Sequence, residues 1–111
     1  MLKVTFYRDS HDRLSSIFAG GHAAFAEYGE DIVCAAVSAI LQAARLGLQA
    51  YAGLELEVTQ QSGELRMRWP ESARDLAAVR AIVSTAELSV EQIARQYPAH
   101  VGFRRERDSV A

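Results

Sequence analysis

The chain has 111 residues, half of them hydrophobic, with 12 lysines and arginines against 14 aspartates and glutamates. That length holds one core and excludes a second of similar size, so residues 1–111 read as one domain, and the near balance of charge argues against direct nucleic-acid binding. The opening Met1-Leu2-Lys3-Val4-Thr5-Phe6 alternates instead of forming an apolar leader, and purely apolar runs fall short of a membrane span, so a soluble cytoplasmic protein is expected.

Leu2, Val4 and Phe6 alternate with Lys3, Thr5 and Tyr7, the period of a half-buried strand. Asp9-Ser10-His11-Asp12 carries turn chemistry, and residues 14–19 predict a second strand, paired as a hairpin, that runs into Gly20-Gly21. Residues 31–51 predict a helix, because Val33, Val37, Ile40, Ala44, Leu48 and Tyr51 recur at spacings of three and four. Asp31 suits its N-cap and Gly53 its left-handed stop. Ala35, Ala36, Ala39, Ala43 and Gly47 leave a second face nearly bare, open to a sheet or a partner subunit.

Leu54, Leu56 and Val58 alternate with Glu55, Glu57 and Thr59, and after Gln60-Gln61-Ser62-Gly63 the alternation resumes at Leu65, Met67 and Trp69. With Gln61 and Ser62 at the tip of this hairpin, Glu57 would face Arg66 and Glu55 would face Arg68 on the wet side. Pro70 stops the strand, and Ser72 with Asp75 resembles a capping box for a second helix that runs to Pro98, with a break available near Thr85 or Ser89. Residues 100–104 predict a short last strand, and Arg104, Arg105 and Arg107 a small basic tail that Glu106 and Asp108 dilute, read as a disordered, solvated end. The order strand-strand-helix-strand-strand-helix-strand, with one wet and one covered sheet face, predicts an α+β two-layer sandwich: a mainly antiparallel sheet with two helices on one face.

The chemistry converges on Cys34, the sole cysteine, and on His22 twelve residues earlier. A single cysteine makes no intrachain disulfide. On a helix starting at Asp31, Cys34 lies about 4 to 5 Å along the axis, where unpaired amides favour a thiolate and the N–H groups of Val33 and Cys34 could hold an oxyanion. His22 follows Gly21, and residues 23–30 are long enough to fold the imidazole back onto the thiol as general base and acid. A mobile loop there, ordered by substrate, is expected. Ser38 shares the helical face of Cys34, and Asp31 is a cap before it is a third catalytic group. By spacing alone, however, a cysteine on an Ala-rich helix is more often a small buried hydrophobe. One cysteine with His11, His22 and His100 supplies no zinc-ligand spacing, and Gly20-Gly21 lacks a phosphate-loop context, so neither metal nor cofactor is expected.

Gly21-His22-Ala23 followed by Glu27-Tyr28-Gly29-Glu30-Asp31-Ile32-Val33-Cys34-Ala35-Ala36-Val37-Ser38-Ala39-Ile40 closely resembles the ribosomal-processing cysteine protease family Prp. The likeness extends more loosely over the whole chain, through element order and Tyr97-Pro98 before the last strand. It implies a Cys-His endopeptidase, with Cys34 as nucleophile and His22 as base, and with Gly21, Asp31 and Ser38 on supporting positions. The resemblance further implies a homodimer that cuts after a phenylalanine and removes the N-terminal extension of large-subunit ribosomal protein twenty-seven. A non-catalytic ribosome-assembly factor gripping the same tail is the competing reading, and a structural dimer module is a third.

Overall fold

The computed structural model describes residues 1–21, 28–61 and 63–108, the side chains of residues 28–31 excepted. Strands β1 (Leu2–Arg8) and β2 (Leu14–Gly20) form the first hairpin, and helix α1 (Tyr28–Leu46) follows. Helix α1 runs into a π-helical turn at Gly47–Tyr51 and stops at Gly53, whose φ of 69° is the left-handed conformation glycine adopts without strain. Strands β3 (Glu57–Gln61) and β4 (Glu64–Arg68) form the second hairpin, followed by a 3-10 turn at Glu71–Ala73, helix α2 (Ala77–Gln96) and strand β5 (Val101–Arg107).

The sheet order is β3-β4-β2-β1-β5, with three antiparallel neighbours and one parallel pair, β1 with β5. The parallel pair follows from α2 acting as a crossover, which returns the chain to the opposite edge in the direction of β1. Val4, Phe6, Ile17 and Met67 alternate onto one face, and Val37, Leu41, Val83 and Val90 of the two helices bury against them. Each such side chain contributes about 1.5–3 kcal/mol on leaving water. Trp69 closes this core at 1% exposure, its indole N–H donating to the Leu14 carbonyl at 2.8 Å. The two-layer α+β architecture expected from the order of elements is therefore the one observed.

Local boundaries differ from expectation in ways that matter. Helix α1 begins at Tyr28, so Asp31 lies inside the helix and is not its cap. The second hairpin closes with Gln61 opposite Glu64 and Gly63 at φ 79°, one residue later than expected. Ser62, expected at the tip, lies outside the described residues. Moving a turn by one residue moves every cross-strand partner by two, so Glu57 faces Arg68 and Thr59 faces Arg66. Leu54, Leu56 and Glu55 precede the strand instead of extending it.

The 72–75 capping box does not form. Asp75 accepts a bond from Arg13 at 2.8 Å, and α2 starts after Leu76 without a side-chain cap. The helix is unbroken at Thr85 and Ser89, with the Thr85 hydroxyl donating back to the Ala81 carbonyl at 2.7 Å. The basic residues assigned to a solvated tail belong to β5. Arg105 pairs with Glu87 at 3.1 Å and with Glu91 at 2.8 Å, and Arg107 donates to the Asp9 carbonyl.

Over Ile32–Tyr51 the mean hydropathy reaches 1.5, long and apolar enough by length and composition alone to cross a membrane. Part of that apolarity is the stripe on the sheet, from Val33 to Leu48, and part is exposed: Ile32, Leu46 and an outward face of Ala35, Ala36, Ala39 and Ala43.

Candidate active site

Two glycines end β2. A Cβ on Gly20 would come within 2.9 Å of the Phe18 ring and 3.3 Å of the Gly63 carbonyl, so a side chain there would displace the ring and crowd the turn before β4. Gly21 has φ 83°, which turns the chain out of the sheet with little strain only for glycine. The chain leaves the sheet here and re-enters described structure at Tyr28. His22 and most of the expected loop at residues 23–30 lie outside the described residues, and its last three residues belong to α1.

Helix α1 sets Cys34, Ser38 and Gln42 four residues apart, which places them in a row along one face. Val37 and Leu41 lie under that row, each 1% exposed, and fix the helix on the sheet. Cys34 is half-buried, packed against the core on one side and open on the other to a cleft of about 320 Å³. Leu2, Ala19 and Leu65 give the cleft an apolar floor, and Gln60, Gln61, Gly63 and Glu64 of the second hairpin form the wall opposite the helix. At about 1.5 Å per residue, the row from Cys34 to Gln42 is about 12 Å long, the span of three or four extended peptide residues.

The wall is tied to the helix by polar bonds. Arg45 Nη1 donates to Gln60 Oε1 at 3.0 Å, and Gln42 Nε2 reaches the same oxygen at 3.5 Å. Among the described residues no group of three His, Cys, Asp or Glu side chains gathers to hold a metal ion.

The family model described as Cysteine protease Prp matches residues 1–102. The chain belongs to the ribosomal-processing cysteine protease Prp family. It is 35% identical over 102 residues to the Bacillus subtilis ribosomal processing cysteine protease Prp, covering 87% of this chain and 90% of that protein. Against the Mycoplasma pneumoniae protein of the same name, identity is 31% over 108 residues, covering 96% and 97% of the two chains. Among solved structures, a Staphylococcus aureus Prp in complex with a substrate peptide superposes with a TM-score of 0.85 at 21% identity, covering 95% of this chain and 99% of that one. A Streptococcus mutans protein superposes at 0.84 with 26% identity, covering 97% and 96%. The S. aureus likeness, at that identity, speaks to the fold.

In this Prp-family chain the residues read from the sequence are placed unevenly. Cys34 and Ser38 share the cleft, and Gly21 directly follows β2, whose Ala19 lies in the floor. The side chain of Asp31 and all of His22 lie outside the described residues. The helix start at Tyr28 makes Cys34 the seventh helical residue. Only about the first four helical amides lack intrahelical partners, so the Val33 and Cys34 N–H groups point back along the helix to the carbonyls of Gly29 and Glu30, and the expected oxyanion donors are withdrawn. The macrodipole, which acts within the first turn, gives the sulfur little help either. Sequence reasoning missed Gln42, Gln60, Gln61 and Glu64. Gln42 was legible as the third member of the 34, 38, 42 row, whereas the hairpin residues read only as a turn.

Proposed function

We propose that this Prp-family chain is a cysteine endopeptidase that removes the N-terminal extension of large-subunit ribosomal protein twenty-seven in the cytoplasm. The observation that carries the reading is Cys34 opening onto a cleft with the length and lining of an extended peptide site. The apolar floor suits the phenylalanine that the family's cleavage follows, and the names of the relatives support ribosomal processing.

In this mechanism His22 takes the Cys34 thiol proton, and the thiolate attacks the scissile carbonyl carbon. The tetrahedral intermediate collapses as His22 returns the proton to the leaving amine. Water then hydrolyses the thioester and regenerates the thiol. Because the helix start is remote from the sulfur, the imidazolium is assigned most of the thiolate stabilisation. Ser38 supports the site from the next turn of the cleft wall, and Gly21 delivers the chain to His22.

Two chains pair through the small-residue surface of α1 and α2, where Ala43 and Gly47 face Ala81 and Ile82 across an apolar groove. Ala43→Glu converts the dimer to monomer in sedimentation; an unchanged dimer refutes that surface.

The test of the activity is a peptide spanning the extension junction. Wild type cuts it after phenylalanine, while Cys34→Ala and His22→Ala do not. Equal cleavage by Cys34→Ala overturns the assignment. Alkylation of Cys34 against pH adds a second arm, in which His22→Ala shifts the reactive thiolate to higher pH.

A further inference from the structure

Gln60 is held in one orientation by chemistry that leaves no choice. A guanidinium only donates hydrogen bonds, so the atom that meets Arg45 Nη1 at 3.0 Å must be the carbonyl oxygen of the Gln60 amide. Gln42 Nε2 approaches the same oxygen at 3.5 Å, also as a donor. The Gln60 amide nitrogen, with two N–H donors, is therefore the end left for other partners, on a residue that lines the cleft. Arg45 stands behind, outside the lining, one turn beyond Gln42 on α1. By the same logic Gln42, having used its nitrogen, keeps its carbonyl oxygen as an acceptor in the cleft.

A donor and an acceptor side by side match the C=O and N–H of a peptide backbone. We infer that Gln60, set by Arg45, binds a main-chain carbonyl of the substrate three or four residues from the scissile bond, with Gln42 as its companion acceptor. Such a grip reads the extended backbone and not the side chains. It holds the substrate in register with Cys34 along the helix row. Gln60 is thus a substrate-binding residue and Arg45 a positioning residue acting through it. The inference rests on the peptidase reading above and names how that same site takes its substrate.

The decisive variant is Gln60→Glu. A carboxylate keeps the Arg45 pair intact, so a merely structural Gln60 would tolerate it without loss. It removes both N–H donors, so a substrate-binding Gln60 would not. With an uncharged junction peptide, chosen so that no lysine is drawn to the new carboxylate, KM is expected to rise about tenfold with kcat within about twofold, the worth of one hydrogen bond. Arg45→Ala lets the amide swing and raises KM by a smaller factor, and it adds nothing further in the Gln60→Glu background. Peptide affinity for Cys34→Ala protein, which holds the uncut peptide, weakens in parallel when Gln60→Glu is added.

An unchanged KM and peptide affinity in Gln60→Glu overturns the inference while leaving proteolysis intact. If wild type fails to cut but Cys34→Ala binds in a Gln60-dependent way, the peptidase reading fails and the backbone grip stands. If neither cutting nor binding occurs, both fall.

Discussion

The two ends of the sheet are built on opposite terms. Where β1 ends and β2 begins, Asp9 and Arg74 are an ion pair at 3.0 Å with side chains only 2% and 3% exposed. One Asp9 oxygen accepts the backbone N–H groups of His11 and Arg13 at 2.8 and 3.1 Å, and the other accepts Arg13 Nε and Arg74 Nη1. Arg74 also donates to the Trp69 carbonyl at 3.1 and 3.3 Å, which staples the first turn to the chain entering α2. At the other end, where β2 releases the chain at Gly21, the groups are glutamines, a serine, the exposed Glu64 and a half-buried thiol around open space. A buried charge pair is costly to disturb and holds one geometry, whereas polar groups that reach solvent over an apolar floor leave room for a ligand. The first end fixes the frame, and the second is shaped to receive.

That contrast can be broken most severely at the open end. Cys34→Ala is expected to abolish cleavage of the junction peptide while leaving the thermal midpoint nearly unchanged, since it removes one atom from a half-buried position. A large fall in midpoint would recast Cys34 as structural. At the closed end the expectation reverses: Arg74→Ala takes the buried partner from an Asp9 carboxylate that keeps Arg13 and two backbone N–H groups, and costs about 1–3 kcal/mol of stability, read by denaturant unfolding with Trp69 fluorescence. The kcat of molecules still folded should stay within about twofold. A loss below about 1 kcal/mol would mean that the staple is dispensable.

Acid should act first at the closed end. Burial alone would push the Asp9 carboxyl up, but the Arg13 amide, Arg74, the His11 amide and the Arg13 guanidinium together outweigh it and hold the group well below the ordinary carboxylate range. A depressed folded value means that the stabilisation is complete only well above the unfolded value of about 3.9, from about pH 5 upward, and drains away as pH falls from there toward the depressed folded value. Stability measured down this range should fall in wild type and fall less steeply in Asp9→Asn, and parallel curves would refute the linkage. The smallest effect belongs to the exposed rim of the same cluster. Asp75, 75% exposed, pairs with Arg13, and Asp75→Asn should move the thermal midpoint by no more than about 2 °C.

Much of the site was readable because helix periodicity is local. The row of Cys34, Ser38 and Gln42 needs only the 3.6-residue repeat, and Gly53 was legible as a stop because one residue type favours that conformation. The start of α1 was misread because Asp31 is a good cap by type, while the helix already runs from Tyr28. The turn at Gly63 was misplaced by one residue, since several residues there suit a turn and cross-strand packing selects among them. The 72–75 capping box failed for a long-range reason: Arg13, from the first hairpin, takes the Asp75 carboxylate.

The sequence alone determined the alternation, the helical stripes and hence the order and two layers of the fold, because each follows from a short-range period and the need to bury one face. It also singled out Cys34 and His22. Only the tertiary structure decided that β5 runs parallel beside β1, that Arg105 and Arg107 belong to the sheet, and that Gln60 meets Arg45 at the edge of a cleft headed by Cys34. Those contacts join residues distant in the chain or on separate elements, and no local pattern encodes which distant group arrives.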